Sequence, residues 1–316
     1  MPQLSTADST MKKGTLDLIV LTYNEEANLA YCLESVRGLA RNIFIVDSGS
    51  TDHTVEIARS SGAQVVTHAF TNQAEQFNWA LDHLPIESEW VLRLDADEFL
   101  SAESRDEIAA TLPLLPDEVT GLYLKRRMIF LGKWIRHGGY YPTWLLRVFR
   151  YGKARSELTE MDEHIILLEG ESQRLTHDFS DHNRKGLSAW LLKHEAYASR
   201  QARVLLRGHQ EQDARQVQPR LLGHQAERKR WLRHRFYGRA PLFIRAFLYF
   251  FYRYFIRLGF LDGVPGLIFH FLHAGWYFFY IDAKVYESRL SASAHEATLK
   301  WREQKGQPYL FPENRR

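Results

Sequence analysis

WVLRLDADEFL (Trp90 to Leu100) runs from apolar residues into Asp95, Asp97 and Glu98. An apolar run that stops in carboxylates reads as a buried strand delivering acid to the edge of a sheet. Carboxylates packed this closely repel one another, and a divalent cation carrying a diphosphate offsets that charge. The competing reading is a solvated strand end before an acidic helix start, because Asp-X-Asp alone is a common pattern.

The residues upstream favour the first reading. LDLIVLT (Leu16 to Thr22) has the length and composition of a strand, and Asn24-Glu25-Glu26 opens a helical pattern through Leu29, Cys32, Leu33 and Val36 that stops at Gly38. Asn42 to Val46 is a second strand ending at Asp47, after which Asp52 can cap a helix closed by Gly62. Gln64 to His68 is a short third strand, Asn72 to Leu84 a helix, and Trp90 to Leu94 the fourth strand. Such alternation is the pattern of a parallel sheet covered by helices. These sheets bind ligands beyond the carboxyl ends of their strands. Thr22, Asn24 and Glu25, then Asp47, then Asp95 and Asp97 all fall there. No GxGxxG follows the first strand, which argues against a nicotinamide-binding domain.

Beyond residue 100 the pattern changes. Ala102 to Leu112 is a helix, and Gly121 to Phe130 and Trp144 to Phe149 are strands around a Gly138-Gly139 loop. Glu160, Asp162 and Glu163 form an acidic cluster before strand-like Ile165 to Leu168, and Ser188 to Leu206 has helical periodicity. From Ala240 to Tyr286 aromatic residues surround Arg245, Arg253 and Arg257, which fall within an arc of about 120° on a helix. A basic face on an aromatic body is the pattern of a helix lying in a membrane interface. Gly263 to Ile281 carries no formal charge, yet glycines, Pro265 and histidines interrupt it. That favours an interfacial or re-entrant segment over a span, with a buried helical hairpin as the alternative. The chain divides into a disordered tail (1–15), an α/β domain (16–185, in halves 16–100 and 101–185) and a helical membrane-associating extension (186–316).

The 316 residues carry a formal net charge of only +3, but Arg184 to Arg257 holds 17 Lys/Arg against 4 Asp/Glu. That asymmetry suits an anionic partner such as a phospholipid surface or a diphosphate. Arginines interleaved with aromatic runs suit lipid, and no nucleic-acid motif is present. Cys32 is the single cysteine, which excludes an intrachain disulfide and a cysteine-built metal site. The polar start lacks an apolar h-region and reads as no signal peptide. These features point to the cytoplasm.

LTYNEEANL (Leu21 to Leu29), VDSGSTDHT (Val46 to Thr54), QFNWAL (Gln76 to Leu81) and LRLDADEFL (Leu92 to Leu100), in that order and spacing, resemble the inverting family-2 glycosyltransferases of the GT-A fold. YPTWLLRVFR (Tyr141 to Arg150), MDEHI (Met161 to Ile165), KHEAYASRQA (Lys193 to Ala202) and YRYFIRLGFLDG (Tyr252 to Gly263) resemble the bacterial branch that builds lipopolysaccharide core, capsule and exopolysaccharide. The resemblance implies an α/β, Rossmann-like, mostly parallel sheet with helices on both faces, followed by the basic, aromatic-rich helical extension. It implies metal-dependent transfer from a nucleotide-sugar donor, a UDP-sugar, to a lipid-linked saccharide or lipopolysaccharide-core acceptor. The work would be done peripherally, on the inner face of the cytoplasmic membrane with its anionic surface.

The resemblance also implies roles. Thr22, Asn24 and Glu25 border the nucleobase and ribose, and Asp47 hydrogen-bonds the base. Asp95 contacts the ribose or metal-bound water, and Asp97 binds Mg²⁺ or Mn²⁺ directly. His182 reaches the metal or diphosphate, with His177 its rival. On chemical grounds, apart from the resemblance, Arg147 and Trp144 are placed lining the donor or acceptor pocket, since an Arg suits a diphosphate. The base for the acceptor hydroxyl comes from the acidic motif, Glu163 ranking ahead of Asp162. Each role has a plainer counterpart: capping turns for Asp47 and Asp52, strand packing for Arg147 and Trp144, a solvated loop for the acidic motif. For Asp52 the capping reading is the stronger. Two other functions compete: a nucleotidyltransferase, which would want a glycine- and lysine-rich nucleotide loop not seen near the first strand, and a non-catalytic membrane-bound binder of glycans or nucleotide sugars.

Overall fold

The computed structural model describes residues 12–158, 164–207 and 241–304. Its main sheet begins with four parallel strands in the order β3 (Gln64–Thr67), β2 (Ile43–Asp47), β1 (Lys12–Thr22) and β4 (Ser88–Asp95). The sheet continues through β8 (Thr143–Arg150), β6 (Val119–Phe130), β11 (Glu171–Asp181) and β5 (Glu98–Leu100). Here the directions are mixed: β8 is antiparallel to β4 and β6, β11 is parallel to β6, and β5 is antiparallel to β11. β7 (Lys133–Ile135) hairpins onto β6. A separate two-stranded ladder pairs β9 (Ala154–Ser156) with β10 (Ile165–Leu167).

Strand geometry sends alternate side chains to opposite faces. In β1, Leu16, Leu18 and Val20 pack with Leu29 and Leu33 of α1 (Leu29–Ser35), Ala58 of α2 (Thr54–Ser60) and Ile108 of α4 (Ala102–Thr111). Ile19 turns the other way, onto Phe77, Ala80 and Leu81 of α3 (Gln73–His83). Both faces are therefore covered, as continuous apolar strands require. At the amino end of the strands, fully buried Asp17 accepts from Asn42 N and Nδ2, Glu87 N, Ser88 N and Ser88 Oγ at 2.7–3.2 Å. One carboxylate thus ties together the starts of β1, β2 and β4.

Residues 12–15, expected as tail, extend β1: Lys12 pairs with Ser88 and Gly14 N donates to Glu89 Oε2 at 2.6 Å.

Helix α5 (Gly186–Arg207) leads from β11 toward the tail, where α6 (Ile244–Phe251), α7 (Gly263–His270) and α8 (Tyr277–Gln304) follow. Ala198 and Ala202 of α5 pack on Ile281 and Val285 of α8. Phe130, Ile135 and Tyr140 of the sheet region pack on Phe269 of α7. The expected basic face is corrected here. Arg245 is buried and chelated by Asp282 of α8, with Nε at 2.8 and 3.0 Å from the two carboxylate oxygens. Arg253 lies over the Tyr140 ring at 3.9 Å and donates to Gly139 O. Arg245 therefore ties α6 to α8 within the tail, and Arg253 ties the tail to the loop before β8, because a buried guanidinium needs a fixed partner. Arg257 stays exposed, amid a largely apolar surface that includes Phe247, Leu248, Ile256 and Val264. Among the described residues no single helix is long and apolar enough to cross a membrane. One pair, Ile244–Ile256 and Gly259–Ser291, qualifies together by length and composition and is bent by 70°.

Candidate functional site

The parallel register brings the expected strand ends onto one rim. Thr22 lies opposite Asp47, and Leu21 opposite Asp95. Asp97 sits in the turn between β4 and β5. Its carbonyl accepts from His182 N at 2.8 Å, and its carboxylate from Asn183 Nδ2 at 3.2 Å. Thr22, Asn24, Glu25, Asp47, Asp95, Asp97 and His182 thus cluster at the carboxyl ends of β1, β2, β4 and β11.

The loops after β1 and β2 brace each other. Asn24, at φ 53°, donates its backbone N–H to Ser50 Oγ and accepts from Thr51 N at 2.8 Å. Asp52 accepts from Thr54 N and Glu26 N, the turn role favoured from its sequence position. Asp47 is 2% exposed. Its Oδ1 accepts from Thr22 Oγ1 and Ser50 Oγ, its Oδ2 from Gly49 N and Ser50 N. A carboxylate offers about four lone-pair sites, and these donors fill them. In this conformation Asp47 shapes the loop instead of presenting an oxygen to a base. Glu25 meets Lys185 Nζ at 2.6 Å and Asn28 Nδ2 at 2.8 Å; burial raises its carboxyl, against the pull of both partners.

Electrostatics centre on four acids. Glu98 is 1% exposed; its Oε1 lies 2.5 Å from Arg147 Nη2, and its Oε2 accepts from Asp95 N. Burial pushes the Glu98 carboxyl up to about 8, opposed by Arg147. Burial also works on Asp95, but the Arg147 and Arg93 guanidiniums, 3.6 and 3.5 Å away, hold it below the usual range. Arg147, expected at the mouth of a ligand pocket, is instead 6% exposed and engaged with Glu98 and Asp95 from beneath. Buried Glu98 and the partly exposed Asp95 above it call for a cation between them, so the residue is turned inward. Asp181, which the sequence reading did not single out, is the fourth acid. It ends β11 opposite Glu98 and pairs with Arg126 at 3.3 Å. Burial and the nearby Asp97 raise its carboxyl to about 6. Lys193 of α5 approaches Asp97 to 3.8 Å, and that carboxylate raises its ammonium above the ordinary lysine value.

His182 lies beside Asp97, with its imidazole lowered by burial and by Arg184. Its rival His177 is fastened to Glu107 of α4 through Nδ1 and its backbone N–H. Trp144 lies between Lys125 and Arg174 as strand packing. Asp162 and Glu163 lie outside the described residues; the positions flanking them, Glu157 and His164, are paired at 2.9 Å. Among the described residues no group of three or more His, Cys, Asp or Glu is arranged to hold a metal by itself. A Mg²⁺-type site does not need one, because that ion commonly takes one or two carboxylates, water and substrate phosphates. The oxygen-rich, mutually repelling set of Asp95, Asp97 and Asp181 fits such an ion.

Residues 17–163 match the family described as Glycosyl transferase family 2. Glycosyltransferase RT0209 of Rickettsia typhi is 39% identical over 98 residues, covering 31% of this chain and 32% of that protein. The lipopolysaccharide core biosynthesis glycosyltransferase LpsC of Rhizobium meliloti is 33% identical over 168 residues, covering 50% and 59%. The chain spans about a third of the length of the Rickettsia relatives it matches. Among solved structures, Mycobacterium tuberculosis glucosyl-3-phosphoglycerate synthase with Mg²⁺ and uridine diphosphate is 23% identical. It covers 36% of this chain and 43% of that one at a TM-score of 0.30.

Proposed function

We propose, from the match of residues 17–163 to glycosyl transferase family 2, that the chain moves a sugar, with inversion, from a nucleotide diphosphate donor to a lipid-linked or lipopolysaccharide-core acceptor. The observation that carries this is the acidic rim: Asp95, Asp97 and Asp181 gathered at the strand ends beside the braced loops of Thr22, Asn24 and Glu25. We assign Mg²⁺ or Mn²⁺ to Asp97, with Asp95 and His182 as further partners. Bound there, the ion would neutralise charge on the departing diphosphate.

The protein's own groups do the rest. Arg147 and Arg93 keep Asp95 ionised at the rim. The Asn24 and Ser50 bracket fixes the cleft wall where the nucleoside would lie. Lys193 offsets Asp97 and stands where negative charge accumulates. The base belongs to the acidic motif, Glu163 or Asp162. β9 climbs α3 from Asp82 to Asn78, toward the helix end whose Gln73 contacts Asp95, and so leads the chain toward the rim before that motif. The exposed apolar surface of α6 and α7 supports a peripheral position on the inner face of the cytoplasmic membrane, near an acceptor that stays in the bilayer.

A panel of nucleotide sugars scored for metal-dependent release of nucleoside diphosphate tests the reading. Turnover should depend on added Mn²⁺ or Mg²⁺ and vanish in Asp97→Ala, with the thermal midpoint kept. Full activity in that variant, or release of pyrophosphate instead, refutes it. The same assay on Glu163→Gln and Asp162→Asn identifies the base.

A further inference from the structure

A cavity of about 320 Å³ opens between the loop that precedes β8 and the turn that follows α6. Its lining includes Arg136, His137, Tyr141, Ile256, Arg257 and Leu258. The neighbouring cations are already engaged: Arg126 with Asp181, Arg127 with Asp178, Arg253 with the Tyr140 ring and Gly139 O. Arg136 and Arg257 differ. Among the described residues neither has a carboxylate within ion-pair distance, and both line this cavity. The acids nearby are committed elsewhere. Asp262 is buried and takes His137 through Nδ1 and N–H, at 2.6 and 2.9 Å, and Asp178 sits behind Tyr141 with Lys125 and Arg127.

The wall is built for close approach. Gly139, at φ +75°, would place a Cβ 3.1 Å from Arg253 Nη1 and 3.3 Å from Arg257 Nε. Glycine suits this positive φ, and its missing side chain lets both guanidiniums lie close against the loop. The other side is apolar. Ile256 and Leu258 continue into exposed Phe255, Phe260, Leu261 and Val264. Register places the cavity at the acidic rim's edge of the sheet, since Arg126 pairs with Thr143 and Met128 with Asp181.

From these features we propose that the cavity binds the phosphate of a membrane-embedded phospholipid-like molecule, its apolar chain lying along the Phe255–Val264 surface. Two guanidiniums without a carboxylate partner among the described residues, Arg136 lying over the Trp134 ring at 5.3 Å, match a phosphate's charge and its bidentate geometry. An apolar lip suits a phosphate that arrives attached to hydrocarbon. This inference deepens the proposed function, naming where the acceptor's carrier would be held.

The test is co-sedimentation of the full chain with phosphatidylcholine vesicles. These carry phosphatidic acid, or a fatty acid at equal surface charge, or no anionic lipid. Wild-type protein should prefer phosphatidic acid, and Arg136→Ala/Arg257→Ala should cut that preference roughly 30-fold. Arg136→Lys/Arg257→Lys should recover part of it, which separates charge from misfolding. Equal binding to the fatty-acid vesicles, or a double variant that binds like wild type, overturns the proposal. If inorganic phosphate releases the protein at concentrations no higher than the lipid phosphate, the pocket takes a soluble phosphate and the lipid assignment falls. Uridine diphosphate binding, measured in parallel, reports on the donor reading alone: its loss in wild type would sink that reading whatever the vesicles show.

Discussion

Replacing Arg147 with methionine removes the cation from beneath the acidic rim. Arg147 is 6% exposed and Glu98 1%, and their closest contact is 2.5 Å, so water cannot take the guanidinium's place. Asp95 loses a second partner at 3.6 Å. Breaking a buried pair by deleting one member costs about 3–5 kcal/mol, or roughly 10 °C of thermal midpoint for a domain of this size. Glu98→Gln in the same background removes the stranded charge and keeps an acceptor for Asp95 N. The double variant should therefore recover at least about 2 kcal/mol relative to additivity.

The pH profile has a definite sign. Burial already raises the Glu98 carboxyl above its unfolded value of 4.5, to about 8, and loss of Arg147 raises it further. A group raised in the folded state contributes stability that is fully present below the unfolded value and is lost as pH climbs through the folded one. The Arg147→Met deficit should then be smallest near pH 5 and largest above pH 8. Urea denaturation followed by tryptophan fluorescence at several pH values measures all of this. A deficit below about 1 kcal/mol at pH 8, or strict additivity with Glu98→Gln, refutes the account of Arg147 as the rim's buried counter-ion.

Asp17→Ala leaves five donors without their carboxylate at the starts of β1, β2 and β4; it should cost about 3 kcal/mol or more in urea unfolding, and a loss under about 1 kcal/mol contradicts the bracket. Gly138→Ala puts a Cβ 2.0 Å from His270 Cε1 at φ +68°. It should loosen α7 from the sheet region, seen as faster limited proteolysis within the tail at unchanged uridine diphosphate affinity, and an unchanged digestion pattern counts against that packing.

The acidic rim was legible because its residues end apolar runs, and the parallel register of β1, β2 and β4 then had to align them. The strand that completes the rim was not. ESQRLTHDFSD buries only Leu175, Asp178, Phe179 and Ser180, so β11 carries little hydrophobic signal, and Asp181 was missed with it. Periodicity placed Arg245 and Arg253 on one helical face but could not reveal that the face turns inward. Their partners, Asp282 and Tyr140, lie 37 and 113 residues away in sequence and meet them only through the packing of the tail. Arg147 was misplaced for the same reason, since Glu98 stands 49 residues from it.

Lys193 and Glu195 stand on nearly opposite sides of one turn of α5: the first leans toward Asp97, the second grips Lys284 of α8 at 3.0 Å. The helix cannot swivel to withdraw its ammonium from the acids without straining its hold on the tail. Whatever competes with Lys193 for Asp97 therefore pulls against the seating of α8, and a force that shifts α8 is felt in turn by the carboxylates. Occupancy at the rim would then bear on the docking of the tail through one helix, with the exposed Glu195–Lys284 pair as its link.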